Sequence, residues 1–103
     1  MSDLKSASEE AALWHLYLVK CRNGSLYTGI STDVLRRFEE HQSGGAKGAK
    51  YLRGKGPLEL VYTVAVGSKS EASVLEYRVK RLGREQKQQM ITGKLNIQDL
   101  LSS

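Results

Sequence analysis

Two short apolar-rich runs, "WHLYLVKC" (14–21) and "SLYTGIS" (25–31), lie on either side of Asn23-Gly24. Two such runs around an Asn-Gly turn predict a β-hairpin. The first run is apolar on both faces, with Trp14, Leu16 and Leu18 against Tyr17, Val19 and Cys21. That pattern predicts a central strand covered on both sides. Farther on, the apolar period lengthens. Val34, Phe38 and His41 recur at helical spacing with Leu35 beside them, Thr32 or Asp33 can cap the start, and "SGG" from Ser43 ends the helix. Arg37 falls on the border of this stripe next to His41, whereas Arg36 falls on the wet side.

Residues 44–57, "GGAKGAKYLRGKGP", break both periods. Five glycines, four of the chain's basic side chains (Lys47, Lys50, Arg53, Lys55) and no acid predict a long mobile loop with no core role. "LELVYTVAV" (58–66) is rich in β-branched residues and predicts a third strand. "SKSE" (68–71) is a capping box that opens a second helix, with Ala72, Leu75, Val79 and Leu82 as its buried stripe. A third helix is expected over about 84–92, closing before Gly93. The polar segment 1–12 is expected to fray and 94–103 to be a tail, leaving a domain over 13–93.

Two features of the pattern are costly unless they do something. Glu76 is a carboxylate on the apolar stripe of the second helix, where it must pair or bind a cation. Tyr17 and Tyr27 place phenols on neighbouring strands, and their facing depends on the turn. A two-residue type I′ turn pairs Tyr17 with Ile30 and sends the tyrosines to opposite faces. A three-residue loop, Arg22-Asn23-Gly24, with a glycine bulge pairs Cys21 with Ser25 and Val19 with Tyr27. The two phenols are then diagonal neighbours on one face. Periodicity alone leaves both open.

Composition narrows the class. The 103 residues fit one small domain with an ordinary globular mix. Lys and Arg outnumber Asp and Glu by 16 to 11, a net charge of +5 that suits a polyanionic partner. The single cysteine, Cys21, can form no internal disulfide and no cysteine-rich zinc site. The N-terminal residues lack the basic-then-apolar pattern expected of a secretion signal, and no apolar run nears the roughly 18 residues of a membrane span. A cytoplasmic protein with no membrane partner is the expectation.

The ordered set "HLY" (15–17), "YTG" (27–29), Arg37, His41, "KGAKY" (47–51) and "EASVLEYRVKRL" (71–82) with Glu76 resembles the GIY-YIG nuclease domain, in its small stand-alone bacterial branch (YhbQ-like). The resemblance spans about residues 13–93. The triplets are loose: His15-Leu16 stands before Tyr17 and Thr28 stands between Tyr27 and Gly29. A late asparagine common in the family has no counterpart, since Asn96 lies in the tail. The resemblance implies an α+β fold (α/β in the broad sense): a three-stranded antiparallel sheet opened by the hairpin, flanked by about three helices. It also implies a phosphodiesterase acting on nucleic acid, DNA foremost, with one Mg²⁺ (or Mn²⁺) on Glu76.

The residue types suit that chemistry. One carboxylate plus phosphate and water matches a cation that keeps its hydration shell. Arg37 can hold a phosphate bidentately. Tyr17 is then the general base and Tyr27 orients water or phosphate, or the reverse. A phenol with an ordinary pKa of about 10 needs a cation to lower it. His15 and His41 are supporting candidates, each with a structural alternative. Lys47, Lys50, Arg53 and Lys55 around Tyr51 have the composition of a surface that tracks a nucleic-acid backbone, with one stacking platform. Shared use of one face by Arg37, Glu76 and both tyrosines favours the bulged turn. A non-catalytic binding module or a protein-interaction domain are the competing readings, and the small size leaves room for a helper protein.

Overall fold

The computed structural model describes residues 12–43, 45 and 47–102. The segment expected to fray lies outside these residues save for Ala12. Strand β1 (Trp14–Lys20) and strand β2 (Leu26–Ser31) form the hairpin, and helix α1 (Val34–Ser43) follows. A 3-10 turn (Lys50–Leu52) precedes strand β3 (Glu59–Gly67). Helices α2 (Lys69–Lys80), α3 (Arg84–Ile91) and α4 (Ile97–Ser102) complete the chain. The sheet is antiparallel with order β2-β1-β3, so β1 is central and β2 is an edge.

The hairpin has the three-residue loop. Val19 pairs with Tyr27 and Tyr17 with Gly29. The Cys21 amide donates to the Ser25 carbonyl at 2.9 Å, and Gly24 takes φ +89°, where an L side chain is strained. Tyr17 and Tyr27 therefore share a face.

Because both faces of β1 are apolar, the sheet separates two cores. Leu16 and Leu18 pack with Leu75, Val79, Met90 and Ile97 on one side. Tyr17, Val19 and Cys21 pack with Val34, Leu52 and Leu58 on the other. Helix α2 covers the first core and α1 the second, so these helices lie on opposite sides of the sheet rather than on a shared face. The capping box at Ser68 and Glu71 is formed. Asp33 caps α1 through its Oδ1, which accepts from the Arg36 amide at 3.2 Å.

Two expectations are corrected. Leu35 is 70% exposed and takes no part in the α1 stripe, because it lies one helical step beyond Val34 and faces outward. The glycine-rich segment does have a core role: Leu52 is 3% exposed and joins the Tyr17 core. Burying one leucine is worth about 1.5–3 kcal/mol, enough to hold a turn down. In the C-terminal segment, α4 docks Ile97 into the Leu16 core and the Leu100 carbonyl accepts from Arg78 Nη1. No helix among the described residues is long and apolar enough to cross a membrane.

Candidate active site

The edge strand β2 organises the site. Tyr17 reaches from β1 across β2 at Gly29. A Cβ built on Gly29 would lie 2.4 Å from Tyr17 Oη and 2.5 Å from its Cζ. Only a glycine lets the ring cross there, so Gly29 is a positioning residue that the sequence did not single out. The ring of Tyr27 lies 6.5 Å from that of Tyr17.

Helix α1 brings His41 and Arg37 to the same face. His41 is 3% exposed, and its ring packs beside both tyrosines, 6.0 Å from Tyr17 and 5.5 Å from Tyr27, closing a triangle of rings. Its tautomer follows from its partners. The Ala49 amide donates to Nδ1 at 3.1 Å, so that nitrogen carries no proton. The neutral ring therefore keeps its proton on Nε2 and donates it to Tyr17 Oη at 2.9 Å. Tyr17 accepts, and its own hydroxyl proton remains free for another acceptor. His41 thus ties the loop, through Ala49, to the phenol.

Burial, first, and then the neighbouring Arg37 charge hold the His41 pKa below its usual value. A lowered histidine pKa means that the unfolded chain binds the proton more readily. Stability is then full above the unfolded value of about 6.5 and falls as pH drops below it. Protonation must also displace the Ala49 amide from Nδ1. Urea unfolding at pH 7 and pH 5 is expected to show a loss of stability that His41→Gln reduces. Equal losses in both proteins would contradict this.

Arg37 Nη1 donates to Glu40 Oε1 at 2.9 Å and also to the Lys47 carbonyl. Arg36 is on the wet side, as expected, with its side chain 77% exposed. The Arg37 side chain is one-third exposed, and its charge acts to lower the Tyr17 pKa. Other influences outweigh it. Burial is the largest, and the Tyr27 phenol and the Glu76 carboxylate add to it, so the Tyr17 pKa is pushed up to about 12. This is the reverse of the direction expected of a ready base.

Glu76 comes from the other side of the sheet, on α2. Its charge is felt at Tyr17, and its Oε2 lies 3.4 Å from Lys80 Nζ. Lys80 in turn lines a cavity of about 290 Å³ with Tyr27, Thr28 and Tyr51, so the two sides meet around the β2 edge. Among the described residues no group of three or more His, Cys, Asp or Glu side chains forms a metal cage. A lone, quarter-exposed carboxylate paired only with a flexible lysine fits a hydrated Mg²⁺ that takes its other ligands from water and phosphate.

Tyr51 is drawn in: it stacks on Tyr27 at 5.9 Å, with Lys55 Nζ 3.3 Å over its ring. Lys47 contributes its carbonyl to Arg37, while Lys47, Lys50 and Arg53 are solvent-facing. His15 has no hydrogen bond to Tyr17, and its buried Nδ1 has no partner among the described residues. Besides Gly29, the sequence reading missed Glu40 and Lys80. An i, i+3 or i, i+4 opposite-charge spacing to Arg37 and Glu76 was their available signal.

The family model for the GIY-YIG catalytic domain matches residues 13–89, and the chain belongs to that family. A UPF0213 protein of Cronobacter sakazakii is 52% identical over 90 residues, covering 87% of this chain and 93% of the relative. A UPF0213 protein of Vibrio cholerae is 49% identical over 98 residues, covering 94% and 95%. Among solved structures, the chain is similar to a UPF0213 protein of Bacillus halodurans, determined by solution NMR. That protein shares 50% identity at a TM-score of 0.51, with 80% of this chain and 85% of that one covered. An E. faecalis protein, also solved by NMR, gives a TM-score of 0.55 at 35% identity, with 79% and 84% covered. The fold is thus of the nuclease type.

Proposed function

We propose that this protein is a metal-dependent nuclease that hydrolyses phosphodiester bonds in nucleic acid, with DNA the expected substrate. The observation that supports it best is the convergence of Tyr17, Tyr27, Arg37 and His41 at one sheet edge, within electrostatic reach of Glu76. In this reading Arg37 exchanges Glu40 for a phosphate and binds its oxygens as charge develops there. Tyr17 first gives its hydroxyl proton to solvent, and the resulting phenolate is met by the His41 Nε2–H, already aimed at its oxygen, and by the Arg37 charge. The phenolate then takes the proton of the attacking water and returns to the phenol. Tyr27 orients water or phosphate. Glu76 holds one Mg²⁺ or Mn²⁺, which when bound supplies charge stabilisation at the phosphoryl and leaving oxygens.

The raised Tyr17 pKa and the occupation of Arg37 by Glu40 favour a second reading, a nucleic-acid-binding module without catalysis. Incubation with branched, single-stranded and duplex DNA and added Mg²⁺ or Mn²⁺ separates the two. A nuclease gives products that vanish in EDTA and in Glu76→Gln. Arg37→Lys is expected to lower the rate by about 10- to 100-fold, because an ammonium cannot bind bidentately. Identical products from wild type and Glu76→Gln would sink the nuclease.

A further inference from the structure

The cavity at the β2 edge does not end at the tyrosines. It is lined by Leu26, Tyr27, Thr28, Tyr51, Lys80 and Lys87. A second cavity of about 300 Å³, lined by Asn23, Ser25, Leu26, Arg84 and Lys87, shares Leu26 and Lys87 with it. The two form one groove from the site to the hairpin tip. Arg84 flanks that tip, with Nη2 2.9 Å from where a Gly24 Cβ would lie. No carboxylate lines either cavity. The groove thus has aromatic rings at one end and three cations along it, of which Lys80 is paired with Glu76 at 3.4 Å. Lys80, Arg84 and Lys87 belong to helices α2 and α3, outside the basic loop.

Thr28 also lines the first cavity; it is 2% exposed, and its Oγ1 has no hydrogen-bond partner among the described residues. That oxygen is enclosed in this structure, so the cations and rings of the groove are what point to a ligand.

We propose that this groove is a channel for the unpaired strand flanking the scissile phosphate. The substrate class becomes nucleic acid with a single-stranded or frayed flank. Lys80, Lys87 and Arg84 contact successive phosphates, and a base stacks in the Tyr27–Tyr51 end. An aromatic-ended groove accepts a base only when that base is free of its pair, whereas phosphates alone would bind any duplex. The channel rests on the nuclease reading for its place beside a cleavage site, but its binding is measured apart from cleavage.

The test is fluorescence anisotropy in metal-free buffer, with a labelled single-stranded oligonucleotide of about 12 nucleotides and a blunt duplex of the same sequence. Arg84→Ala/Lys87→Ala is compared with wild type and with Lys94→Ala, which lies outside both cavities. Both groove side chains are at the surface, and circular dichroism confirms folding; Lys87→Glu repeats the test with a charge reversal. The double variant is expected to bind the single strand roughly tenfold more weakly, with the salt slope reduced by about 1.4 for two lost contacts. Lys94→Ala is expected to match wild type. Unchanged single-strand affinity, or an equal loss on the blunt duplex, overturns the channel. A selective loss in a protein that never cleaves upholds the channel and rejects the nuclease.

Discussion

Gly29→Ala is expected to lower cleavage by about 100-fold or more and to destabilise the fold by about 1–3 kcal/mol. The added methyl would sit 2.4 Å from Tyr17 Oη. The Tyr17 ring is 1% exposed and packed among Val19, Val34 and Leu52, so it cannot step aside freely. Any shift also breaks the bond from His41 Nε2, and with it the tie to Ala49. Removing the hydroxyl does not relieve the clash, since Cζ is only 2.5 Å away. The measurement is a double-mutant cycle with Tyr17→Ala, reading both rate and urea midpoint. If displacement of Tyr17 is the cause, Gly29→Ala has little further effect on the rate once Tyr17 is gone. Additive losses in rate would show that Gly29 acts through something else.

Tyr17→Phe is expected to cost about 10²- to 10⁴-fold in rate, the range of a general base. The pH profile carries the distinguishing information. With its pKa pushed up to about 12, Tyr17 is almost wholly protonated at neutral pH. A reaction that needs its phenolate should accelerate about tenfold per pH unit between pH 7 and 9. Tyr17→Phe should lose that slope along with the rate. If it keeps both, Tyr27 or another group is the base. The same raised pKa has a cost in alkali. The folded phenol holds its proton more tightly than the unfolded one. Its contribution to stability is therefore present below about pH 10 and is lost as pH rises toward about 12. Folding is best monitored alongside rate above pH 10.

Much of this was legible in the sequence wherever a local rule had one answer. The two-sided apolar run of β1 announced a central strand, and the capping box announced α2. Helical phase separated Arg37 from Arg36. The hairpin register was not legible locally, because Asn-Gly suits either loop. It took the residues downstream to tilt the choice. Leu52 was hidden by its surroundings: one leucine among glycines and lysines gives no period, and its burial is decided by a distant gap beside Tyr17. Gly29 was hidden for another reason. A glycine needed for space leaves no trace in φ, and only the register that sets it opposite Tyr17 reveals it. Glu76 pairs with Lys80, one of the two outcomes its place on the stripe required. That its charge reaches Tyr17 from the far side of the sheet is a matter of tertiary arrangement.

Strand β1 is a partition wall. Its even-numbered residues Leu16 and Leu18 face a core made of α2, α3 and α4, while Tyr17 and Val19 face the chemistry. Robustness and activity are thereby written on alternate letters of one short word. Substitutions that improve packing behind the wall can accumulate without moving the phenols. The Tyr17 face is correspondingly free to change while the Leu16 core stays, with Glu76 on α2 tied to both.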